Sequence, residues 1–296
     1  MFPKYDISLK LPTYYYGHEY RRTHSKGIII MEDLTPHSLT VPMLPGFSHE
    51  QICALIDELA HIHCVSWKQS DWIPQLKMES GNLEDYIKLV QQMFMALKHI
   101  KPEWFAEQVD QLMPYITTEN MMKLGDHTEE KFGFPPCIVH GDLWAPNVLW
   151  CKDEHGKATS ELCAIIDWQM VRPGNPCEDI ARLLNLNVSS EYRRKNTTAI
   201  LKRYYENIIK HFDGKPSFTF KQLEAAYRVA AAFNIFFTAF GAPVYHEMES
   251  VVGKVDDPRR DENRLELLDR VHSSFEDALL EWRALENSSF ILSGDH

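Results

Sequence analysis

The sequence has no excess of positive charge. It contains 31 Lys and Arg residues against 42 Asp and Glu residues, which gives a formal net charge of -11 and a pI near 5.7. No run of Lys or Arg reverses this balance locally. Because nucleic-acid binding needs a basic face that displaces phosphate counterions, we expect no nucleic-acid partner.

The sequence also lacks the patterns of a secreted, disulfide-bonded or membrane-spanning protein. Its six cysteines are scattered without a C-x-x-C pair, which predicts free thiols in a reducing compartment. The N-terminal segment MFPKYDISLK has no apolar signal core, so we expect a cytoplasmic location. The most apolar stretch, residues 229–244, is interrupted by Asn234 and Gly241 and is too short to span a bilayer.

Two strands and a proline-rich loop are predicted near the N-terminus. Aromatic and β-branched residues favour strands within residues 11–33, on either side of a polar turn from Arg21 to Lys26. The prolines within residues 35–47 prevent regular structure, and we interpret this segment as a linker or crossing loop.

Most of the remaining sequence has helical periodicity. Ser48 and Gln51 form a capping-box start, and apolar residues then keep helical spacing as far as His63. Similar spacing predicts further helices at residues 81–100, 102–124, from about 176, 219–240 and 258–285. The periodicity breaks after Phe132, where two apolar segments are interpreted as short strands flanking a polar loop: residues 137–140 and 162–167.

The residues that carry chemistry lie in this non-helical region. The pattern H-G-D-x-x-x-x-N runs from His140 to Asn147, and a later apolar run ends in Asp167. Phosphoryl transfer from ATP needs a carboxylate that orients the acceptor hydroxyl and ligands that hold Mg²⁺ on the phosphates. Asp142 could accept the hydroxyl proton. The Asn147 amide oxygen and the Asp167 carboxylate are hard oxygen ligands that suit Mg²⁺.

Two other interpretations of this pattern are weaker. His140, Asp142 and Asn147 could be ordinary turn residues, but the full pattern arises rarely by chance. A hydrolase with Asp142 and His140 as its base would also need a nucleophile, and the sequence has none at suitable spacing.

These residues resemble the catalytic loop and metal-binding Asp of choline kinases, aminoglycoside phosphotransferases and the ecdysteroid-kinase-like (CHK-kinase-like) group, within the protein-kinase-like superfamily. Trp144 and the Asp-Trp-Gln that begins at Asp167 are typical of the last group. So is GNPCEDIARLL, from Gly174 to Leu184, which is similar to the group's G-x-P-x-x-D-[LI]-A-x-[LF]-[LI] element. The resemblance extends from about residue 9 to the end and is strongest across residues 137–184.

The resemblance implies ATP and Mg²⁺ as cofactors and assigns roles within the catalytic loop. Asp142 would be the catalytic base, and His140 would support its loop. Asn147 and Asp167 would be the metal ligands.

The resemblance also assigns roles outside that loop. Asp179 would open a helix and tie it to the catalytic loop by hydrogen bonds, although its charge could simply stabilise the helix start. The Glu32 carbonyl and the Leu34 amide would form a hinge that meets adenine, although any exposed strand end could look similar.

The sequence departs from the family upstream of the hinge. Kinases of this kind use a glycine-rich loop over the phosphates and a strand Lys paired with a helix Glu. No glycine precedes Gly17, and neither Lys4 nor Lys10 is a candidate for that Lys. We therefore expect an α+β, protein-kinase-like fold with a truncated small lobe. Residues 1–34 would be its remnant and hinge, and residues 35–296 the mostly helical large lobe with the catalytic loop.

The function predicted from these features is ATP-dependent transfer of phosphate to a hydroxyl of a small molecule. The alternative is an inactive pseudokinase that acts as a binding protein. The missing Lys and glycine-rich loop favour that alternative and predict that the chain as given is not a competent kinase. The sheet edge left by the missing strands would need a partner or a dimer to cover it.

An apolar acceptor, such as a steroid-like alcohol, is also compatible with the sequence. A packed core helix is the simpler explanation for the Phe residues concerned. The aromatic candidates for an acceptor pocket are Trp144, Trp168, Phe233, Phe236, Phe237 and Phe240.

Overall fold

The computed structural model describes residues 9–18, 26–76, 82–212 and 216–286. Apart from Lys26, the predicted turn from Arg21 to Lys26 lies outside these residues. Within them, the strands are β1 (Tyr14–His18), β2 (Ile28–Met31), β3 (Ser38–Leu39), β4 (Cys137–Val139), β5 (Val148–Lys152), β6 (Ala158–Ile165) and β7 (Arg172–Gly174).

Helices make up most of the remaining described chain. The α-helices are α1 (His49–Lys68), α2 (Leu83–Ile100), α3 (Pro102–Leu112), α4 (Thr118–Gly125), α5 (Glu129–Phe132), α6 (Cys177–Asn187), α7 (Ser190–His211), α8 (Phe220–Glu247), α9 (Glu249–Val252) and α10 (Arg260–Glu286). Short 3₁₀ turns lie at Ile73–Gln75, Met113–Tyr115, Ala145–Asn147 and Trp168–Met170.

Strands β1 and β2 form an antiparallel hairpin near the N-terminus, where the sequence predicts two strands. Tyr16 pairs with Ile30, and Gly17 pairs with Ile29. The large apolar side chains of this hairpin are exposed, Ile29 to 67% and Tyr14 to 65%. The partner or dimer that would cover this sheet stays a prediction, as does the division of the chain at residue 34.

The crossing loop that follows contains one short strand. Residues Ser38 and Leu39 of β3 pair with Cys151 and Trp150 of β5. The prediction that residues 35–47 have no regular structure is therefore wrong at this point. The pairing requires β5, a strand more than a hundred residues away, so local sequence gives no sign of it.

A buried arginine attaches the crossing loop to the helical part of the chain. Arg270 of α10 is 1% exposed. Its Nη1 donates to the carbonyls of Met43 at 2.9 Å and Leu186 at 2.7 Å, and its Nη2 donates to the carbonyl of Pro45 at 2.6 Å. A buried charge is tolerated only when it is paired and hydrogen-bonded, so this loop and the end of α6 are held together.

The single helix predicted from residue 102 to about 124 is wrong. Helix α3 ends at Leu112, a 3₁₀ turn containing Pro114 follows, and α4 starts at Thr118. Proline has no backbone N–H to donate and clashes with the preceding turn, which ends the helix. The Thr117 side chain then caps α4 by accepting a hydrogen bond from the Asn120 amide.

The region after Phe132 contains four strands, and the sequence predicted two. Strand β4 pairs with β7, and β5 pairs with β6, both antiparallel. Strands β5 and β7 were not predicted, and β6 begins at Ala158 rather than at residue 162. The two pairs leave the chain between β4 and β5 as a loop, which holds the H-G-D-x-x-x-x-N motif.

Helix α8 lies at the centre of the helical part of the chain and packs against α2, α6 and α10. It extends through Pro243 to Glu247, beyond the predicted end at residue 240. By length and composition α8 could cross a membrane, the one such helix found among the described residues. However, 61% of its most apolar window is buried inside the protein, as in core helices of soluble proteins.

Two buried histidines, His63 and His127, should make the free energy of unfolding depend on pH. Burial lowers the pKa of His63 from 6.5 to about 3 and the pKa of His127 from 6.5 to about 4. Between those values and 6.5, the unfolded chain binds protons at these residues and the folded chain does not. The free energy of unfolding should therefore fall as the pH drops from about 7.5 to 5, by up to ~1.4 kcal/mol per pH unit for each histidine.

Urea unfolding followed by circular dichroism at several pH values measures this slope. The variant His63→Gln should flatten it, whereas His155→Gln should not, because the His155 side chain is 71% exposed. A slope that stays unchanged in His63→Gln would contradict the assignment.

Candidate functional site

The loop after β4 is held by one buried carboxylate. Asp179, in the first turn of α6, is 1% exposed. Its Oδ2 accepts a hydrogen bond from the His140 amide at 2.7 Å, and its Oδ1 accepts one from the Gly141 amide at 2.9 Å. Burial raises the pKa of the Asp179 carboxyl, while His140 and the two amides favour its ionised form. Asp179 therefore does more than stabilise the start of its own helix.

Gly141 is required by the shape of this loop. Its φ is +82°, a conformation that side chains other than glycine rarely adopt. A Cβ atom there would also lie 2.7 Å from the carbonyl oxygen of Met170. The close approach brings the loop against the 3₁₀ turn that follows Asp167.

Both ring nitrogens of His140 are engaged within the protein. Nε2 lies 2.9 Å from the carbonyl oxygen of Ile166, and the Asp142 amide donates to Nδ1 at 3.2 Å. This pattern requires the proton to be on Nε2. The ring also packs edge-on against Trp168, with 4.6 Å between ring centroids. His140 is thus suited to orienting the loop and not to transferring a proton.

The Ile166 peptide joins the loop to the segment after β6. Its carbonyl accepts from His140, and its amide donates to the carbonyl of Asn147 at 2.9 Å. Asp167 follows directly and has φ 61°, the one positive φ of a non-glycine residue among the described residues. Such a conformation persists only when the surrounding structure holds it, and it often occurs at functional sites.

Asn147 and Asp167 have the chemistry to hold Mg²⁺. The Asn147 Nδ2 donates to the carbonyl of Asp142 at 2.9 Å, which leaves the amide oxygen as the atom that can meet a cation. In the described part of the chain, no three His, Cys, Asp or Glu side chains cluster as a metal site would require. Two oxygen ligands from the protein fit Mg²⁺ when phosphates and water complete its shell.

Asp142 is paired with an arginine that sequence analysis missed. Arg182 Nη2 donates to Asp142 Oδ1 at 2.8 Å. The Arg182 side chain is 8% exposed and that of Asp142 is 23% exposed. One signal was available, since Arg182 is a charged residue inside a helical run of apolar residues from Ile180 to Leu184.

The structure separates the predicted aromatic candidates. Phe233 and Phe236 are buried in the core, 4% and 0% exposed, as the packed-helix explanation expects. Trp168 packs on His140. The other three are partly exposed and contact two tyrosines that were not predicted. We call these five residues the aromatic face: Tyr86, Trp144, Phe237, Phe240 and Tyr245.

Ring contacts divide the aromatic face into two groups. Trp144 stacks on Tyr245 with 5.0 Å between ring centroids. Tyr86 packs against Phe240 at 5.5 Å and Phe237 at 6.2 Å. Burial raises the pKa of the Tyr245 hydroxyl, and the charge of Asp142 adds to this rise, so the Tyr245 end of the face lies beside Asp142.

The proposed hinge residues lie where β2 leads into the crossing loop. The Glu32 carboxylate accepts from the Thr13 amide at 3.0 Å and from the Thr13 hydroxyl at 2.8 Å. These hydrogen bonds lower the pKa of Glu32. The Leu34 carbonyl accepts from the amides of His37 and Ser38. None of these hydrogen bonds uses the two atoms that are predicted to meet adenine, the Glu32 carbonyl and the Leu34 amide.

Comparison with known proteins identifies the family. A family model described as "Uncharacterized oxidoreductase dhs-27" (DUF1679) matches residues 6–283. The chain belongs to this family.

Two Caenorhabditis elegans proteins are similar in sequence. "Uncharacterized kinase-like protein D1044.1" is 30% identical over 271 residues, which cover 90% of this chain and 70% of that protein. "Uncharacterized oxidoreductase dhs-27" is 27% identical over 209 residues, 68% of this chain. Because the match covers 25% of dhs-27, the oxidoreductase name applies to a much longer protein.

Two solved structures are similar at lower identity. Aminoglycoside phosphotransferase APH(2'')-Ib with bound ADP is 15% identical, with 93% of this chain and 79% of that chain covered and a TM-score of 0.38. Choline kinase from Cryptosporidium parvum Iowa II is 12% identical, with 90% of this chain and 73% of that chain covered and a TM-score of 0.48.

The predicted α+β fold is confirmed, because helices make up most of the described residues and the strands form small sheets. The resemblance to kinase-like proteins is confirmed by the relative D1044.1. The finer assignment to the ecdysteroid-kinase-like group stays a prediction.

The anchoring role of Asp179 can be tested by substitution. Asp179→Ala would leave the buried amide of His140 and the partly buried amide of Gly141 without an acceptor. We expect the free energy of unfolding to fall by roughly 2–6 kcal/mol, at about 1–3 kcal/mol for each unpaired donor. Urea unfolding near neutral pH measures the change.

A matched control is Asp85→Ala, in the first turn of α2, where the side chain is 66% exposed. Its cost should stay below about 1 kcal/mol. Similar losses in the two variants would mean that Asp179 acts only as an ordinary first-turn carboxylate.

Proposed function

We propose that the chain contains the catalytic lobe of an ATP-dependent phosphotransferase, which transfers phosphate to a hydroxyl of a small molecule with Mg²⁺. The observation that carries this proposal is the Ile166 peptide, which bonds to His140 on one side and to Asn147 on the other. It brings Asp142, Asn147 and Asp167 to one end of the two strand pairs. The kinase-like name of the 30% identical relative supports the same reaction class.

In this proposal the protein supplies position and charge rather than covalent chemistry. The Asp142 carboxylate, fixed by Arg182, accepts the proton of the acceptor hydroxyl. Asn147 and Asp167 would hold Mg²⁺, which neutralises phosphate charge when it is bound. His140 keeps Asp142 oriented through the bond from the Asp142 amide to its Nδ1.

The nucleotide and the acceptor would lie on different sides of Asp142. The hinge atoms of Glu32 and Leu34 would meet adenine, and the aromatic face would receive the acceptor. A cytoplasmic location suits this function, because ATP is abundant there. In the alternative, a pseudokinase, the same surfaces would bind ligands without transfer.

The metal ligands can be tested without turnover. Mn²⁺ replaces Mg²⁺ at hard oxygen sites and broadens NMR signals of nearby nuclei. We expect Mn²⁺, added with ADP, to broaden signals around Asn147 and Asp167 in the wild type, and expect this broadening to be lost in Asp167→Ala. The control variant Asp110→Ala, with a side chain 67% exposed, should broaden as the wild type does. Broadening that is the same in Asp167→Ala and the wild type would remove Asp167 from the site.

The reaction itself is tested by incubating the chain with Mg·ATP and a panel of hydroxylated compounds. A phosphate ester should form, and Asp142→Asn should lower its rate by roughly 10²–10⁴-fold, the usual contribution of a general base. Ester formation at equal rates in both proteins would remove Asp142 from the mechanism. If the metal binds but no ester forms, the pseudokinase alternative is favoured. The same result would support the expectation that a chain without the strand Lys is a poor kinase.

A further inference from the structure

Arg182 has more hydrogen-bonding capacity than the structure uses. One bond, from Nη2, goes to Asp142. Its Nε and Nη1 atoms are buried and have no hydrogen-bond partner within the described residues. Unpaired buried donors are unfavourable, and a guanidinium presents its N–H groups as a planar fork that fits carboxylate or phosphate oxygens. The side chain can therefore donate to a further anionic oxygen, which none of the described residues supplies to Nε or Nη1.

Arg182 lies close to the place where the acceptor would bind. Its guanidinium lies beside Asp142 and close to two members of the aromatic face. Burial raises the pKa of the Tyr86 and Tyr245 hydroxyls, and the nearby charge of Arg182 opposes part of this rise at both residues. A ligand on the aromatic face with its hydroxyl at Asp142 would thus have Arg182 within reach.

The charges around the aromatic face disfavour a cationic ligand. Aromatic rings alone attract cations, but a cation here would meet the positive charge of Arg182. Glu247, the acidic residue that follows Tyr245 on α8, is paired with Arg264 at 2.5 Å. Asp142 is already paired with Arg182. The two carboxylates that flank Trp144 and Tyr245 along the chain, Asp142 and Glu247, are thus both occupied by arginines.

On the basis of the proposed function, we propose that the acceptor is a hydroxylated compound with an aromatic or apolar body and an anionic group, a carboxylate or a phosphate, and that Arg182 binds this group. Arg182 then determines acceptor specificity in addition to positioning Asp142.

The test compares three probes that share a hydroxyphenyl body and differ in charge: 4-hydroxyphenylacetate, its neutral amide and the cation tyramine. Their affinities are measured by ligand-observed NMR with the full chain, without nucleotide or metal, so that the result does not depend on phosphate transfer. We expect the anion to bind about ten- to a hundredfold more tightly than the cation. Inorganic phosphate, as a fourth probe, reports how much affinity the anion has without an aromatic body.

Variants separate specificity from a structural role. Arg182→Met should remove the preference for the anion, and Arg182→Lys should keep part of it, because the charge remains and the fork does not. Asp142→Asn should keep or strengthen the preference for the anion, because the Asp142 carboxylate no longer competes with the anionic probe for Arg182. If Arg182 only held Asp142 in place, Asp142→Asn and Arg182→Met would weaken binding alike. Thermal unfolding of each variant confirms that it is folded.

Three results would overturn the proposal: equal affinities for anion and cation in the wild type, an unchanged preference in Arg182→Met, or binding of none of the probes. A further arm measures Mg·ADP and Mg·ATP affinity. If Arg182→Met lowered only the affinity for Mg·ATP, Arg182 would serve the nucleotide phosphates instead. Failure of the Mn²⁺ and ester experiments would contradict the phosphotransferase assignment, whatever the probes show.

Discussion

The loop from His140 to Asn147 depends on one helix, α6, and first of all on the buried carboxylate of Asp179. That carboxylate fixes the backbone of His140 and Gly141. Three residues further along the helix, Arg182 fixes the side chain of Asp142. At the helix end, the Asn187 side chain accepts a hydrogen bond from the Ala145 amide at 2.7 Å. Helix α6 thus contacts the loop from the first loop residue, His140, to the 3₁₀ turn that starts at Ala145. Each of these contacts is buried or partly buried.

This arrangement suits a reaction in which the protein contributes mainly position. Phosphoryl transfer requires the attacking and leaving oxygens to lie in line with the transferred phosphorus, with a carboxylate and a metal ion placed beside them. Errors of about 1 Å in such arrangements are costly. Helix α6 is itself held from outside the site, because Arg270 donates to the carbonyl of Leu186 at 2.7 Å. A side chain on α10 therefore contributes to the geometry of a loop that it does not touch.

Features that depend on interactions between residues close in sequence, such as helix caps and loops, could be predicted from the sequence. The Ser48 and Gln51 capping box forms as expected, and the H-G-D-x-x-x-x-N pattern lies on a loop between strands. Features that depend on distant partners were missed. Strand β5 is stabilised by pairing with β3 and β6, and the importance of Arg182 depends on Asp142 lying opposite it. Tyr86 joins the aromatic face only because α2 packs against α8, which a single sequence does not reveal.

Helix α8 carries core residues on one side and members of the aromatic face on another. Phe236 is fully buried, and its neighbour Phe237 meets Tyr86. Divergence of ligand preference within the family is therefore constrained along this helix, because replacing a ring on α8 also disturbs the packing that holds α2, α6 and α10 together. Tyr86 is tied to the same helix, because its hydroxyl donates to the Phe236 carbonyl at 3.2 Å. Trp144 lies on the loop after β4 and contacts one ring of α8, Tyr245, so a change there would leave the packing between the helices in place.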